Sequence, residues 1–160
     1  LTRGGIASMM ATIALIISAL ALGGLLMKFG VIDAVMGPLS RKLQSNGSLI
    51  LAVILSGIRV NVFVGEQYLS VILPGNAFKS TFDKAKLAPV ALSRALEDGG
   101  TVINYLIPWG VAGVFAANTL QVSTISYLPF AIFSLSSPIF SIISGFTGIG
   151  LKHLKMHENG

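Results

Sequence analysis

The chain has 160 residues, 53% of them hydrophobic and 11% charged, with a formal charge of +5 and a mean hydropathy of +0.82. So little polar surface excludes a soluble globule of this size, and basic residues scattered through short connecting segments exclude the gathered face of a nucleic-acid binder. The absence of cysteine excludes disulfides, thiolate metal sites and cysteine nucleophiles.

Residues 4–27 carry no charge and are long enough for a transmembrane helix with some tilt. Within them Ala19, Gly23 and Gly24 form a small-residue face, read as helix packing. Over residues 28–47, Phe29, Ile32, Val35, Met36, Leu39 and Leu43 recur at helical spacing among Lys28, Asp33, Arg41 and Lys42. That pattern describes an interfacial amphipathic segment, broken by Pro38 and by the Asn46-Gly47 pair.

Residues 48–78 are apolar at both ends and hold Arg59, Asn61, Glu66 and Gln67 in the middle. One ionic residue at the bilayer centre costs about 2.5 to 3.5 kcal/mol, so such a cluster implies pairing, water or a bound ion. The apolar arms, 49–58 and 68–78, are each too short to cross at about 20 residues per crossing. Two short arms meeting at a polar tip predict a re-entrant hairpin, whose tip must have its backbone satisfied by protein or water. The alternative is a wet loop joining two helices. Charge favours the hairpin: if 48–78 dips in and returns, the loop with Lys28, Arg41 and Lys42 and the loop with Lys79, Lys84, Lys86 and Arg94 both lie on the cytoplasmic side.

Residues 79–95 are the most polar part of the chain, with a short helix expected after Pro89. From 99 to 151 there is no Lys, Arg, Asp or Glu, room for two crossings. The first, 96–121, is expected to be a broken transmembrane helix, interrupted by Gly99, Gly100, Pro108 and Gly110. The second, 124–151, contains Pro129 and Pro138 and serines at 134, 136, 137, 141 and 144, read as satisfying backbone freed by proline.

Carboxylates beside broken helix are how secondary transporters build ion sites. Glu66 is a candidate for binding a cation or proton, with Asn61 and Gln67 as neutral oxygen ligands; the alternative is charge neutralisation of Arg59. Glu97 and Asp98 are either site carboxylates or acids that end one helix and cap the next. Neighbours on a helix point about 100° apart, so both line one site only if the chain breaks there, and Asp98 is the one expected to face the ion. Thr101, Asn104 and carbonyls freed by Pro108 are further candidate ligands, because hard cations such as Na+ prefer oxygen. Trp109 is read as packing. His153 and His157 have the spacing of a helical metal pair, but they are read as part of a solvated tail, so no transition-metal site is expected. No catalytic triad, phosphate loop or metalloprotease motif is present, and an enzyme is not expected.

Gly65-Glu66-Gln67-Tyr68-Leu69-Ser70-Val71-Ile72-Leu73-Pro74-Gly75, Leu87-Ala88-Pro89, Leu92-Ser93-Arg94-Ala95-Leu96-Glu97-Asp98-Gly99-Gly100-Thr101, Ile107-Pro108-Trp109 and Tyr127-Leu128-Pro129-Phe130 resemble, in order and spacing, the C-terminal half of NhaC-type Na+/H+ antiporters. The resemblance implies an all-α integral membrane fold of the ion-transporter superfamily, with two inverted repeats, each containing a re-entrant hairpin and a broken helix. Residues 1–160 would then be a single membrane domain, one repeat of a longer secondary transporter. Two positions depart from the family pattern: Glu66 stands where Asp is usual, and Gly110 where Asn is usual.

The resemblance further implies antiport in the multi-pass plasma membrane of a prokaryote, serving pH homeostasis. Na+ and H+ would compete for the carboxylates as cargo, with no cofactor. The expected partners are membrane lipid, the N-terminal half of the same transporter and a second copy in a homodimer, with no nucleic acid. Two alternatives stand beside this reading: Na+- or H+-coupled exchange of a small carboxylate or amino acid, as in malate/lactate exchange, and a structural membrane subunit that transports nothing alone.

Overall fold

The computed structural model describes residues 9–30 and 45–151. The amphipathic segment expected over 28–47 falls mostly outside these residues, and His153 and His157 do so wholly. Every regular element among the described residues is a helix.

Helix α1 (Met10–Lys28) leaves Ile13, Ile16, Ile17, Leu20, Leu22 and Leu25 exposed. Of its small residues, Gly23 is buried where a Cβ would overlap the Leu69 side chain, whereas Gly24 faces open space. The contact with Val64 and Leu69 therefore runs along the Gly23 side, where Leu26 also packs.

Helix α2 (Asn46–Val64) begins where the sequence suggested a break. Ser45 and Ser48 form a reciprocal cap, with the Ser48 N–H donating to Ser45 Oγ at 3.1 Å and the Ser45 N–H to Ser48 Oγ at 3.2 Å. With these amides satisfied, Asn46 and Gly47 become the first helical residues instead of a turn. The helix then runs through Arg59 and Asn61 and stops only at Gly65, whose left-handed φ of 72° suits glycine and whose N–H bonds Asn61 O.

Helix α3 (Gln67–Lys84) follows directly, with Glu66 as its N-cap. The arms are thus longer than 49–58 and 68–78, and α2 is long and apolar enough to cross a membrane. Leu49, Val53 and Ile54 share a core cluster with Phe78 and Phe82, while Val60 and Val64 share another with Leu69 and Leu73. Early residues of α2 meet late residues of α3, so the two helices form an antiparallel hairpin with its turn at Gly65-Glu66.

Helix α4 (Pro89–Leu96) starts on its proline, as expected, because a helix does not need the missing N–H at that position. Gly99 and Gly100 do not break the chain that follows. Glu97–Thr101 forms a π-helical turn closed by the Val102 N–H on Glu97 O, and it leads without interruption into the short α5 (Val102–Asn104). The break falls at residues 105–110, in tight turns held by Ile107 N–H to Asn104 O and Gly110 N–H to Ile107 O. Helix α6 (Val111–Leu120) ends at left-handed Gln121. Beyond it, α7 (Thr124–Tyr127) and a 3₁₀ turn (Leu128–Phe130) are bent by 58° from α8 (Ile132–Thr147), and together the pair is long enough for one bent crossing. Helix α2 lies at the centre, packed on α3, α8, α4 and the π-turn.

Large apolar side chains stay exposed on α8 as well, including Ile132, Phe133, Ile139, Phe140, Ile143 and Phe146. So many large apolar side chains left exposed mark a surface that meets something other than water.

Candidate ion-binding site

The π-turn carries the two adjacent acids in different directions. Glu97 is exposed, whereas Asp98 is only 4% exposed. Asp98 caps no helix. Its carboxylate reaches α8 instead, where Ser137 Oγ donates to Oδ1 and Ser141 Oγ donates to Oδ2. Both oxygens of a buried acid are therefore held by hydroxyls, the minimum that makes burial of a charge tolerable.

This pair of serines is what the sequence reading missed. Ser136 and Ser144 do bond backbone, at Ile132 O and Ile149 O respectively, but neither is the Ser134 carbonyl that Pro138 leaves without its helical donor. Ser134, Ser137 and Ser141 bond elsewhere: Ser134 shares a hydrogen bond of 2.9 Å with the Tyr105 hydroxyl, and the other two hold Asp98. Their spacing of three and four residues puts them on one face of α8, which is the signal that separates them from the other serines.

Asn61 and Asn104 form a second cluster on the same turn. Asn61 Nδ2 donates to Gly99 O at 3.1 Å and Gly100 O at 2.6 Å, and its Oδ1 accepts from Asn104 Nδ2 at 2.6 Å. Asn104 Oδ1 is buried without a hydrogen-bond partner. Close approach makes this possible: a Cβ on Gly57 would stand 2.8 Å from the Gly99 carbonyl carbon, and one on Gly99 would stand 2.5 Å from Ile54 O.

Glu66 is buried at 4% exposure, with Oε2 accepting the Leu69 N–H at 3.1 Å, while Arg59 is exposed. Gln67 does not join Glu66 and Asn61 around one point; it lines an open cavity of about 280 Å³ with Glu97 and Thr101. The sequence candidates thus fall into three groups: Asp98 with the serines, Asn61 with Asn104, and Glu97 with Gln67 and Thr101. Glu66 stands at the hairpin turn. Among the described residues, no three His, Asp or Glu side chains converge as a metal cluster.

The hairpin turn meets the break at 105–110. The Val111 N–H donates to Gly65 O at 2.8 Å, and the Trp109 indole N–H donates to Val62 O at 2.7 Å. Val62 O lies in the last turn of α2 and lacks an N–H four residues on within the helix. Trp109, 58% exposed, is therefore a capping donor and not a packing residue.

A family model described as the Na+/H+ antiporter family matches residues 1–149. The chain belongs to the Na+/H+ antiporter family. It is 53% identical to the Na+/H+ antiporter NhaC of Alkalihalophilus pseudofirmus, over 93% of this chain and 32% of that protein. It is 49% identical to the NhaC of Bacillus subtilis, over 91% of this chain and 32% of that protein. Similarity extends to the malate-2H+/Na+-lactate antiporter of Bacillus subtilis, at 37% identity over 92% of this chain and 32% of that protein. The chain thus spans about a third of the length of these curated relatives. No solved structure matches it. These relatives are antiporters, not enzymes.

In this antiporter-family chain the Trp109 cap gives a contained prediction. Trp109→Phe keeps the ring and removes the donor, so stability should fall by about 1 kcal/mol, the net worth of one hydrogen bond. A lower melting temperature in detergent, with the fold retained, is the expected reading.

Proposed function

We propose that this chain carries the cargo-binding carboxylate of a Na+/H+ antiporter, and that the carboxylate is Asp98. The observation that carries this reading is a buried acid on a π-turn, held by two hydroxyls. A serine hydroxyl both donates and accepts. Ser137 and Ser141 can donate to an empty carboxylate, turn their lone pairs toward a bound Na+, or accept the proton of the neutral acid. The same three oxygen-bearing side chains then serve both cargoes, so Na+ and H+ compete for one place. Each occupied form is less charged than the empty one and so is easier to move between faces of a low-dielectric site.

Asn61 and Asn104 would supply neutral oxygen beside the turn, the partnerless Oδ1 of Asn104 being one such atom. Glu66, Gln67, Glu97 and Thr101 would form the surrounding polar path. On this reading the α2–α3 hairpin enters the membrane and returns, its turn meeting the 105–110 break near mid-membrane. The basic segments then lie on the cytoplasmic side of a prokaryotic plasma membrane. Residues 1–160 form one repeat, and the remaining two thirds of the protein complete the transporter.

Everted vesicles holding the full-length antiporter test this directly. Addition of Na+ alone, without organic substrate, is expected to dissipate an imposed pH gradient. A requirement for malate, lactate or an amino acid would instead favour coupled organic exchange, the activity that one relative's name describes. No exchange under any condition would favour a structural subunit.

A further inference from the structure

A second cavity, of about 230 Å³, lies between α2, α4 and α8 and is lined by Ile50, Val90, Arg94, Ser141, Ser144 and Leu151, among others. Ser141 belongs to two places at once. It lines this cavity, and its hydroxyl holds Asp98 Oδ2. Asp98 is itself nearly closed off, and Ser141 links its carboxylate to the cavity lining.

We propose that this cavity is the aqueous route by which Asp98 is reached from the cytoplasmic side, with Ser141 as the positioning residue at its inner end. The inference rests on Asp98 being the cargo carboxylate. A buried acid that takes up and releases ions must meet water on each side in turn, because an ion cannot leave its hydration shell for an apolar wall. The cavity has groups that water wets. Two serines, Ser141 and Ser144, stand in walls otherwise formed by apolar residues and glycine, and Arg94, an exposed cation, lines it as a hydrated group and not as a Na+ ligand. Val90 and Arg94 belong to α4, which follows directly on the segment with Lys79, Lys84 and Lys86. Short segments rich in lysine and arginine stay on the cytoplasmic side, which sets the direction of opening.

Cysteine accessibility in the full-length antiporter, with any other cysteines replaced, tests the route. Val90→Cys and Ala91→Cys line the cavity without touching Asp98, and Ile143→Cys, on the exposed apolar side of α8, is the control. A membrane-impermeant cationic methanethiosulfonate is applied to inside-out and to right-side-out vesicles. Since thiol reactivity follows thiolate fraction and access, the cavity cysteines should react at least about tenfold faster than the control from the cytoplasmic face, and their modification should block Na+/H+ exchange. Labelling no faster than at Ile143→Cys, labelling only from the opposite face, or labelling that leaves exchange intact would each overturn the route. Adding Asp98→Asn separates the two readings: if Asp98 is not the cargo carboxylate, exchange survives that substitution, whereas the cavity is judged by labelling alone.

Discussion

Asp98→Asn in the full-length antiporter is expected to abolish Na+-driven proton movement in everted vesicles while the protein still reaches the membrane in normal amount. The substitution nearly preserves shape. The new amide can accept from one serine hydroxyl and donate to the other, so the link from the π-turn to α8 survives. What disappears is the ability to hold either a proton or a negative charge. Unit charges about 4 Å apart attract by about 4 kcal/mol at an effective dielectric of about 20, which is about a thousandfold in cation affinity. Ser137→Ala and Ser141→Ala keep the charge and remove one oxygen each, so they should raise the Na+ concentration for half-maximal exchange without eliminating it. Equal loss from Asp98→Asn and Glu97→Gln would contradict the separation of the two acids, because Glu97 is exposed on the other side of the turn.

Gly99→Ala is expected to have a large effect on stability. The added methyl would stand 2.5 Å from Ile54 O and 2.8 Å from Ile54 Cα. These are backbone atoms in the middle of α2 and cannot rotate away, so the π-turn must move off the helix. That movement stretches the bonds from Asn61 to Gly99 O and Gly100 O and displaces Asp98. Overpacking of this kind costs about 3 kcal/mol, the upper end of the usual range. A sharp fall in melting temperature in detergent, with loss of exchange, is the expected reading. Gly24→Ala, which meets nothing within 4 Å, should leave stability unchanged or improve it by about 1 kcal/mol through helix propensity. Similar melting temperatures for the two variants would show that the close approach at Gly99 is not required.

Some of this architecture could be read directly. The start of α4 at Pro89 and the turn after Leu120 fall where local chemistry puts them. The polar residues between 59 and 67 do mark the joint between two helices. They mark it loosely, because Arg59 reaches outward and Asn61 is satisfied by the π-turn, so neither needs to open the helix that carries it. Gly65, with its positive φ, is the residue that ends α2. At Gly99-Gly100 the glycines had the opposite role to the one expected. They allow close packing on Ile54 and Gly57 within a continuous helical path, and the chain breaks later, at 105–110.

Composition and periodicity by themselves determined that the chain is apolar and helical and that two of its acids stand directly before a glycine pair, and the order of its motifs carried the resemblance to an antiporter family. These properties depend on residues near one another along the chain, where helical spacing and charge count carry the information. Only the tertiary structure decided which acid is enclosed, which serines hold it, and that the turn at Gly65 touches the break at Gly110. A hydroxyl on α8 has the same local chemistry whether it bonds its own backbone or a carboxylate 43 residues earlier. The choice is made by packing, when Gly57 and Gly99 let the π-turn settle against α2 and bring Asp98 within reach of Ser137 and Ser141.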